Sequence, residues 1–210
     1  MFPIFKRDSL GVAALLLVLA GRLQAAENFR LFTQPLLIPE RGEVTSYVLL
    51  AGTNKFSFLP PPGWHVRPDA AEKTITFMPV DLSASISVKI LSGQPEPTNR
   101  QPANSEPASP ESLQKGKADH WRQQLLDRYP GAKIMEEFRC YTRGNEGVSF
   151  DLEQLVGHKI STSSRVAVVS FSGGSVEFVL TTATKKFADY NFAFGNLLTS
   201  FSIEPLTLLK

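Results

Sequence analysis

Residues 163–201 restrict the possible folds most, because three clear local signals follow one another there. Residues 163–171 and 176–182 are apolar runs rich in β-branched and aromatic side chains, and a Ser-Gly-Gly-Ser turn separates them. Large apolar residues then recur at three- and four-residue steps, as on one buried helix face: Phe187, Tyr190, Phe194, Leu197, Leu198 and Phe201. The stretch predicts a hairpin that extends a sheet and a helix that covers one of its faces, with Phe194 and Phe201 buried.

The preceding residues contain further strand signals and one more helix signal. Apolar and polar residues alternate, or β-formers cluster, at residues 56–58, 74–78, 85–90, 132–141 and 148–153. Residues 113–129 predict a helix with Ser112 as N-cap, a face carrying Trp121 and Leu125, and a stop at Pro130. Together these strand and helix signals favour an α+β domain.

Two stretches lack such signals. Residues 27–53 contain Pro35 and Pro39 and no clear period, so they predict an irregular N-terminal arm, with residues 44–50 as a possible short strand. Residues 92–112 contain five prolines among polar residues and predict a disordered loop, because such a segment buries too little apolar surface to offset its ordering entropy. We expect a single domain at residues 54–205 that contains this loop; an interdomain linker is the alternative.

The first 26 residues have the order of a secretory signal peptide. Lys6 and Arg7 precede an apolar run that ends at Arg22, and Ala25 and Ala26 follow as small residues suited to cleavage. An uncleaved anchor is the alternative, but Arg22 interrupts the run before it reaches the length that crosses a bilayer. We therefore expect an exported protein, periplasmic or secreted, without a transmembrane anchor after cleavage.

Charge and cysteine content exclude some functions. The formal charge of the whole chain is +2. The predicted signal peptide holds Lys6, Arg7 and Arg22 against Asp8, so the remaining chain is formally neutral. A neutral surface argues against nucleic-acid binding by phosphate neutralisation. Cys140 is the only cysteine, which leaves no intramolecular disulfide, and a buried structural role is favoured over a reactive thiol.

Chemistry-bearing residues are sparse. The three histidines have no metal-ligand spacing, and phosphate-loop, dinucleotide and nucleophile-elbow motifs are absent, so no metal, cofactor or catalytic residue is predicted. Asp151 and Glu153 on one strand face, with Glu177 on the hairpin, are candidates for a carboxylate cluster; simple solvent-facing strand charges are the favoured alternative. Trp64, beside three prolines, is a candidate aromatic on a binding rim, or otherwise packs at the edge of the core.

The order of these motifs resembles a known superfamily. An F-x-F strand before P-P-G-W at residues 56–64, a helix, a G-x-x-G-V-x-F-D-L-E strand and a closing helix ending in L-L-T-S-F are similar to PsbP/Mog-like domains over residues 55–203. The resemblance implies an antiparallel sheet with helices packed on both faces. Its members range from photosystem II extrinsic subunits to Ran-binding nuclear proteins and exported bacterial proteins, and binding to a protein partner is what they share.

Together these features favour a non-enzymatic, exported binding or assembly domain whose partner is a protein or an envelope component. Two alternatives stay open from the sequence. One is a hydrolase or cation-dependent enzyme that uses Asp151, Glu153 and Glu177. The other is a lipophilic ligand carrier, which requires a sizeable cavity between sheet and helix.

Overall fold

Strand-forming sequence dominates the described part of the chain. The computed structural model describes residues 29–39, 42–93, 110–156 and 160–206. Within them the chain forms two α-helices and eleven strands, in this order: β1 (Phe29–Ile38), β2 (Gly42–Ala51), β3 (Asn54–Phe58), β4 (His65–Asp69), β5 (Thr74–Met78), β6 (Ala84–Ser92), α1 (Pro110–Arg128), β7 (Lys133–Thr142), β8 (Asn145–Val156), β9 (Ile160–Phe171), β10 (Gly174–Ala183), α2 (Phe187–Ser200) and β11 (Ser202–Pro205).

Seven strands form the larger sheet, in the order β4-β5-β6-β10-β9-β8-β7, and all neighbours are antiparallel. The predicted hairpin is confirmed as β9 and β10, which lie inside the sheet between β6 and β8. The turn between β9 and β10 requires glycine at two positions. Gly173 has a φ of 102°, and a Cβ on Gly174 would lie 2.2 Å from the carbonyl oxygen of Leu91 on β6.

The smaller sheet corrects the prediction of an irregular N-terminal arm at residues 27–53. Strands β1 and β2 occupy most of that region and belong to a four-stranded sheet in the order β1-β2-β3-β11. The periodicity was hidden because β1 is an edge strand with exposed apolar residues, among them Phe32, Leu36 and Leu37. Pro35 is tolerated there because an edge strand needs only one row of hydrogen bonds. The antiparallel architecture is therefore confirmed, but as two sheets instead of one.

The core divides into two clusters of buried side chains. One joins both sheets to α2 and contains seven buried phenylalanines, at positions 29, 56, 58, 77, 178, 194 and 201. Phe201 stacks on Phe58 at 5.4 Å between ring centroids and meets Phe178 edge-on at 4.9 Å. Phe194 and Phe201 are 2% and 0% exposed, so their predicted burial is confirmed. The second cluster joins Trp121 and Leu125 of α1 to residues of β8, β9 and β10.

The first helix starts earlier than its sequence signals indicate. Helix α1 begins at Pro110, so Ser112 lies within the helix and is not its N-cap. Proline is compatible with a first helical turn, because the N–H group that it lacks has no partner there. Most of the predicted loop at residues 92–112 and the whole predicted signal peptide lie outside the described residues. In the described ranges, neither helix has the length and apolar character needed to cross a membrane.

Candidate functional site

A pocket opens between strand β7 and the C-terminal half of helix α2, and we call it the β7–α2 pocket. Its volume is about 220 Å³. Four consecutive residues of β7, at positions 138–141, form one side, and Phe194, Gly195, Leu198 and Thr199 of α2 form the other. Ser149 of β8 and Arg165 of β9 complete the lining. Apolar side chains thus surround a small number of polar groups.

Strand register explains why these residues meet. Phe138 pairs with Ser149, and Ser149 pairs with Ala167 of β9, so the three form one row across the sheet. Asp151 pairs with Arg165 in the next row. Since residues two apart on a strand share a face, both rows point to the side of the sheet on which Ala167 joins the α2 core cluster.

Arg165 in the pocket lining belongs to an ion pair with Asp151. Arg165 donates to both carboxylate oxygens of Asp151, from Nε and from a terminal nitrogen, each at 2.6 Å. The side chains are only 18% and 12% exposed. The guanidinium carbon lies 4.7 Å from the ring centroid of Phe138 and 5.5 Å from that of Phe187. The two-pronged pairing and the ring contacts hold Arg165 in place, and Asp151 neutralises its charge.

Two further polar groups in the lining are buried. Ser149 is 0% exposed, and its hydroxyl oxygen has no hydrogen-bond partner among the described residues. Such a group is costly, because desolvation is not offset by a hydrogen bond. Cys140 is 5% exposed, and burial, with a smaller contribution from Glu146, raises the pKa of its thiol to about 12. The thiol is therefore protonated near neutral pH and is a poor nucleophile.

The structure places Glu177 apart from the other two carboxylates that were candidates for one cluster. Asp151 pairs with Arg165, and Glu153 accepts a hydrogen bond from Ser161 at 3.1 Å. Glu177 is three residues from Leu180, which pairs with Arg165, so Glu177 points to the opposite face of the sheet. It is buried there and bonded to Arg128 of α1. Glu177 therefore does not converge with Asp151 and Glu153.

Burial of Glu177 also affects a neighbouring tyrosine. The pKa of Tyr129 is raised, first by its own burial and then by the negative charge of Glu177. Within the described ranges, no three His, Cys, Asp or Glu side chains are grouped so that they could hold a metal ion.

The candidate rim aromatic, Trp64, is half-buried against the core cluster that contains α2. It meets Tyr190 of α2 edge-on, with 5.7 Å between ring centroids. The Tyr190 hydroxyl is hydrogen-bonded to Ser83 in the β5–β6 connection. Trp64 thus packs beside the helix, and its role in binding stays a prediction.

Strand β7 is an edge of the larger sheet. Its backbone pairs with β8 on one side. Directly after β7, the Arg143 N–H donates to the Phe201 carbonyl at 2.8 Å. Arg143 also forms an isolated bridge with Ser202, so the end of β7 lies beside the start of β11. Met135 and Tyr141 of β7 are 51% and 54% exposed. The pocket therefore lies next to an edge that carries exposed apolar side chains.

The sequence predicted burial of Cys140, Phe194 and Leu198, but it did not identify Arg165, Ser149 or Gly195 as pocket residues. Arg165 did carry a signal, because it is the one charged residue in the β9 sequence and its partner in the register of β8 is Asp151. Ser149 and Gly195 carry no signal of their own. Their roles follow from the register of β8 and from the position of α2 above β7.

No family model and no curated protein sequence matches this chain. Comparison with solved structures does find similar folds. Cyanobacterial PsbP (CyanoP) from Synechocystis is 18% identical, with 71% of this chain and 86% of that chain covered and a TM-score of 0.48. LpqN, involved in cell envelope biogenesis of Mycobacterium tuberculosis, is 10% identical, with 87% and 96% covered and a TM-score of 0.47. The Saccharomyces cerevisiae Ran-binding protein Mog1p is 9% identical, with 82% and 96% covered and a TM-score of 0.42. The matches include a PsbP protein and a Mog1 protein, the two proteins after which the superfamily that the sequence resembles is named.

Proposed function

We propose that this chain is an exported, non-enzymatic binding or assembly domain, and that it holds a protein or envelope partner at the β7 edge. The observation that carries the proposal is strand β7, which among the described residues is an edge of the larger sheet and carries exposed Met135 and Tyr141 beside the β7–α2 pocket. Exposed apolar side chains next to a concave site are typical of interaction surfaces.

The packing of the larger sheet supports this choice of surface. Residues alternate between the clusters along β9 and β10: Ala167 and Phe178 belong to the cluster with α2, whereas Val168 and Val179 belong to the cluster with α1. Alternate strand residues point to opposite faces, so in this proposal a helix packs on each face of the sheet. The edges are then the parts of the sheet at which a partner has access to backbone groups.

The enzyme alternative has less support. Its carboxylates are engaged by separate partners, Asp151 by Arg165 and Glu177 by Arg128, and they point to different faces. The lipid-carrier alternative needs a larger cavity. Pockets for drug-sized ligands are roughly 300–1,000 Å³, and the β7–α2 pocket is about 220 Å³.

Export rests on the N-terminal sequence, and fractionation of native cells tests it. We expect the protein outside the cytoplasm, with a mature chain that starts at Ala26 or Glu27 by mass spectrometry. An intact N-terminus on a cytoplasmic protein would contradict export.

Binding at the β7 edge is tested by photo-crosslinking in native cells. A photoreactive benzoylphenylalanine is placed at Tyr141 on β7, or at exposed Arg67 on β4, the opposite edge of the same sheet. We expect one defined protein adduct from position 141 that position 67 does not produce. The same adducts at both positions, or none at position 141, would overturn the proposed surface.

A further inference from the structure

We infer that the β7–α2 pocket is a recognition site for the phenol ring of a tyrosine, presented by an extended segment of a partner protein. This inference rests on the proposed function, because the partner supplies the ring. Beyond the proposed function, the inference specifies the chemical group that the pocket recognises and the residues that recognise it.

The size and walls of the pocket favour a single ring. About 220 Å³ is smaller than a pocket for a drug-sized ligand, so the space suits one side chain. Phe138, Phe194 and Leu198 line it, and the Arg165 guanidinium lies against the Phe138 ring. Aromatic side chains combine large contact area with few rotatable bonds, so they fill such pockets at low entropic cost.

The polar groups favour a neutral ring that carries a hydroxyl. Ser149 belongs to the pocket lining, and its buried hydroxyl has no hydrogen-bond partner among the described residues. The hydrogen of a serine hydroxyl can rotate to suit a partner, and its oxygen can accept. A phenol hydroxyl both donates and accepts, so it can complete this bond in either direction. An anion fits less well, because Asp151 already neutralises Arg165. In addition, Leu198 and Thr199 belong to the last turn of α2, where the helix dipole disfavours negative charge.

Gly195 keeps the pocket open. It lies in the interior of α2, and a Cβ built on it would meet nothing within 4 Å. No steric contact therefore requires glycine there, although glycine is the least favourable residue in a helix interior apart from proline. The effect of its missing side chain is free space in the wall of the pocket.

The neighbouring edge accommodates the main chain of the same segment. In an antiparallel ladder every second residue of an edge strand directs its N–H and C=O groups outward. Four consecutive β7 residues line the pocket, so a strand added along β7 can place one side chain in it. Main-chain pairing with pockets for individual side chains is the general mode of β-strand addition.

Titration with two matched compounds tests the recognition of the phenol. N-acetyl-L-tyrosinamide and N-acetyl-L-phenylalaninamide differ only in the hydroxyl, and NMR shifts report binding to protein purified from cells that express the full chain. We expect the tyrosine compound to bind about three- to tenfold more tightly, as one neutral hydrogen bond provides. The shifts should centre on Phe138, Ser149 and Leu198. Equal affinities, or shifts elsewhere, would overturn the inference.

Three substitutions identify the residues responsible. Ser149→Ala should remove the preference for tyrosine, whereas Ser175→Ala should keep it. Ser175 is also a buried serine whose hydroxyl has no partner in the described part of the chain, but it lies outside the pocket lining. Gly195→Leu should abolish binding of both compounds by filling the pocket. If Gly195→Leu does not fold, as judged by its NMR spectrum, the serine pair decides the question alone. A preference that survives Ser149→Ala would refute the role of the hydroxyl.

Crosslinking separates this inference from the proposed function. If Gly195→Leu lowers the yield of the adduct from position 141 at least tenfold, the pocket receives part of the partner. An unchanged yield would leave the proposed function standing and overturn the pocket inference. Binding of the tyrosine compound without any adduct would support the pocket and contradict the proposed surface.

Discussion

The ion pair between Arg165 and Asp151 should be a major local contribution to stability. Arg165→Met keeps most of the apolar stem but leaves Asp151, which is 12% exposed, without its cationic partner. Breaking a buried pair typically costs about 3–5 kcal/mol. Since some solvent reaches both groups, we expect a loss of about 3 kcal/mol. That figure includes the contacts of the guanidinium with the Phe138 and Phe187 rings, which contribute about 0.5–1 kcal/mol each.

Urea unfolding of the single and double variants measures the contribution of this ion pair to the free energy of unfolding. The double variant Arg165→Met/Asp151→Leu should lose less than the sum of the single losses, because no unpaired charge stays buried. Lys89→Met is the matched control. Lys89 pairs with Glu72 at 3.5 Å with 40% and 69% exposure, so its loss should be about 0.5 kcal/mol or less. A loss below about 1 kcal/mol for Arg165→Met, with additive behaviour in the double variant, would refute the reasoning.

Two further predictions concern the core around the pocket. Phe194→Ala should lower the free energy of unfolding by about 3–5 kcal/mol, because Phe194 is 2% exposed; a loss below about 1 kcal/mol would contradict its burial. The pKa of the Cys140 thiol is raised from 9.0 to about 12. Because the unfolded chain releases this proton at lower pH than the folded one, the free energy of unfolding should fall as pH rises from about 9 to about 12. Comparison with Cys140→Ala, which lacks this contribution, isolates that slope from other titrations.

Local signals were sufficient for much of the fold. Strands β9 and β10 and helix α2 were predictable because apolar period, turn glycines and helix spacing agree over short stretches. Strand β1 was not predictable in this way, because its position at the edge of the smaller sheet decides which of its side chains are buried. As an exposed edge strand it carries Leu37 at 77% exposure, and apolar residues on a solvent-facing strand give no alternation.

The candidate site depended on long-range geometry. Whether Asp151 and Glu177 share a face is set by the register of three strands, and a shift of one residue reverses the answer. Whether the missing side chain of Gly195 leaves free space in a pocket wall depends on where α2 lies above β7. A sequence can show that a carboxylate or a glycine is present, but these pairings arise only after the sheet has assembled.

The pocket concentrates two features that oppose stability, and this leads to a final prediction. A glycine in a helix interior costs about 1 kcal/mol relative to alanine, and a buried hydroxyl without a partner costs about 1–3 kcal/mol. Gly195 and Ser149 lie in the same pocket lining. If the two costs add, Ser149→Ala/Gly195→Ala should raise the free energy of unfolding by about 2–4 kcal/mol in urea unfolding, while the preference for the tyrosine compound is lost. Ser175→Ala should be stabilising without that loss, because the Ser175 hydroxyl also has no partner within the described ranges but lies outside the pocket. A double variant that is less stable than the parent would show that these two residues serve packing, and that the pocket is not kept open at the expense of stability.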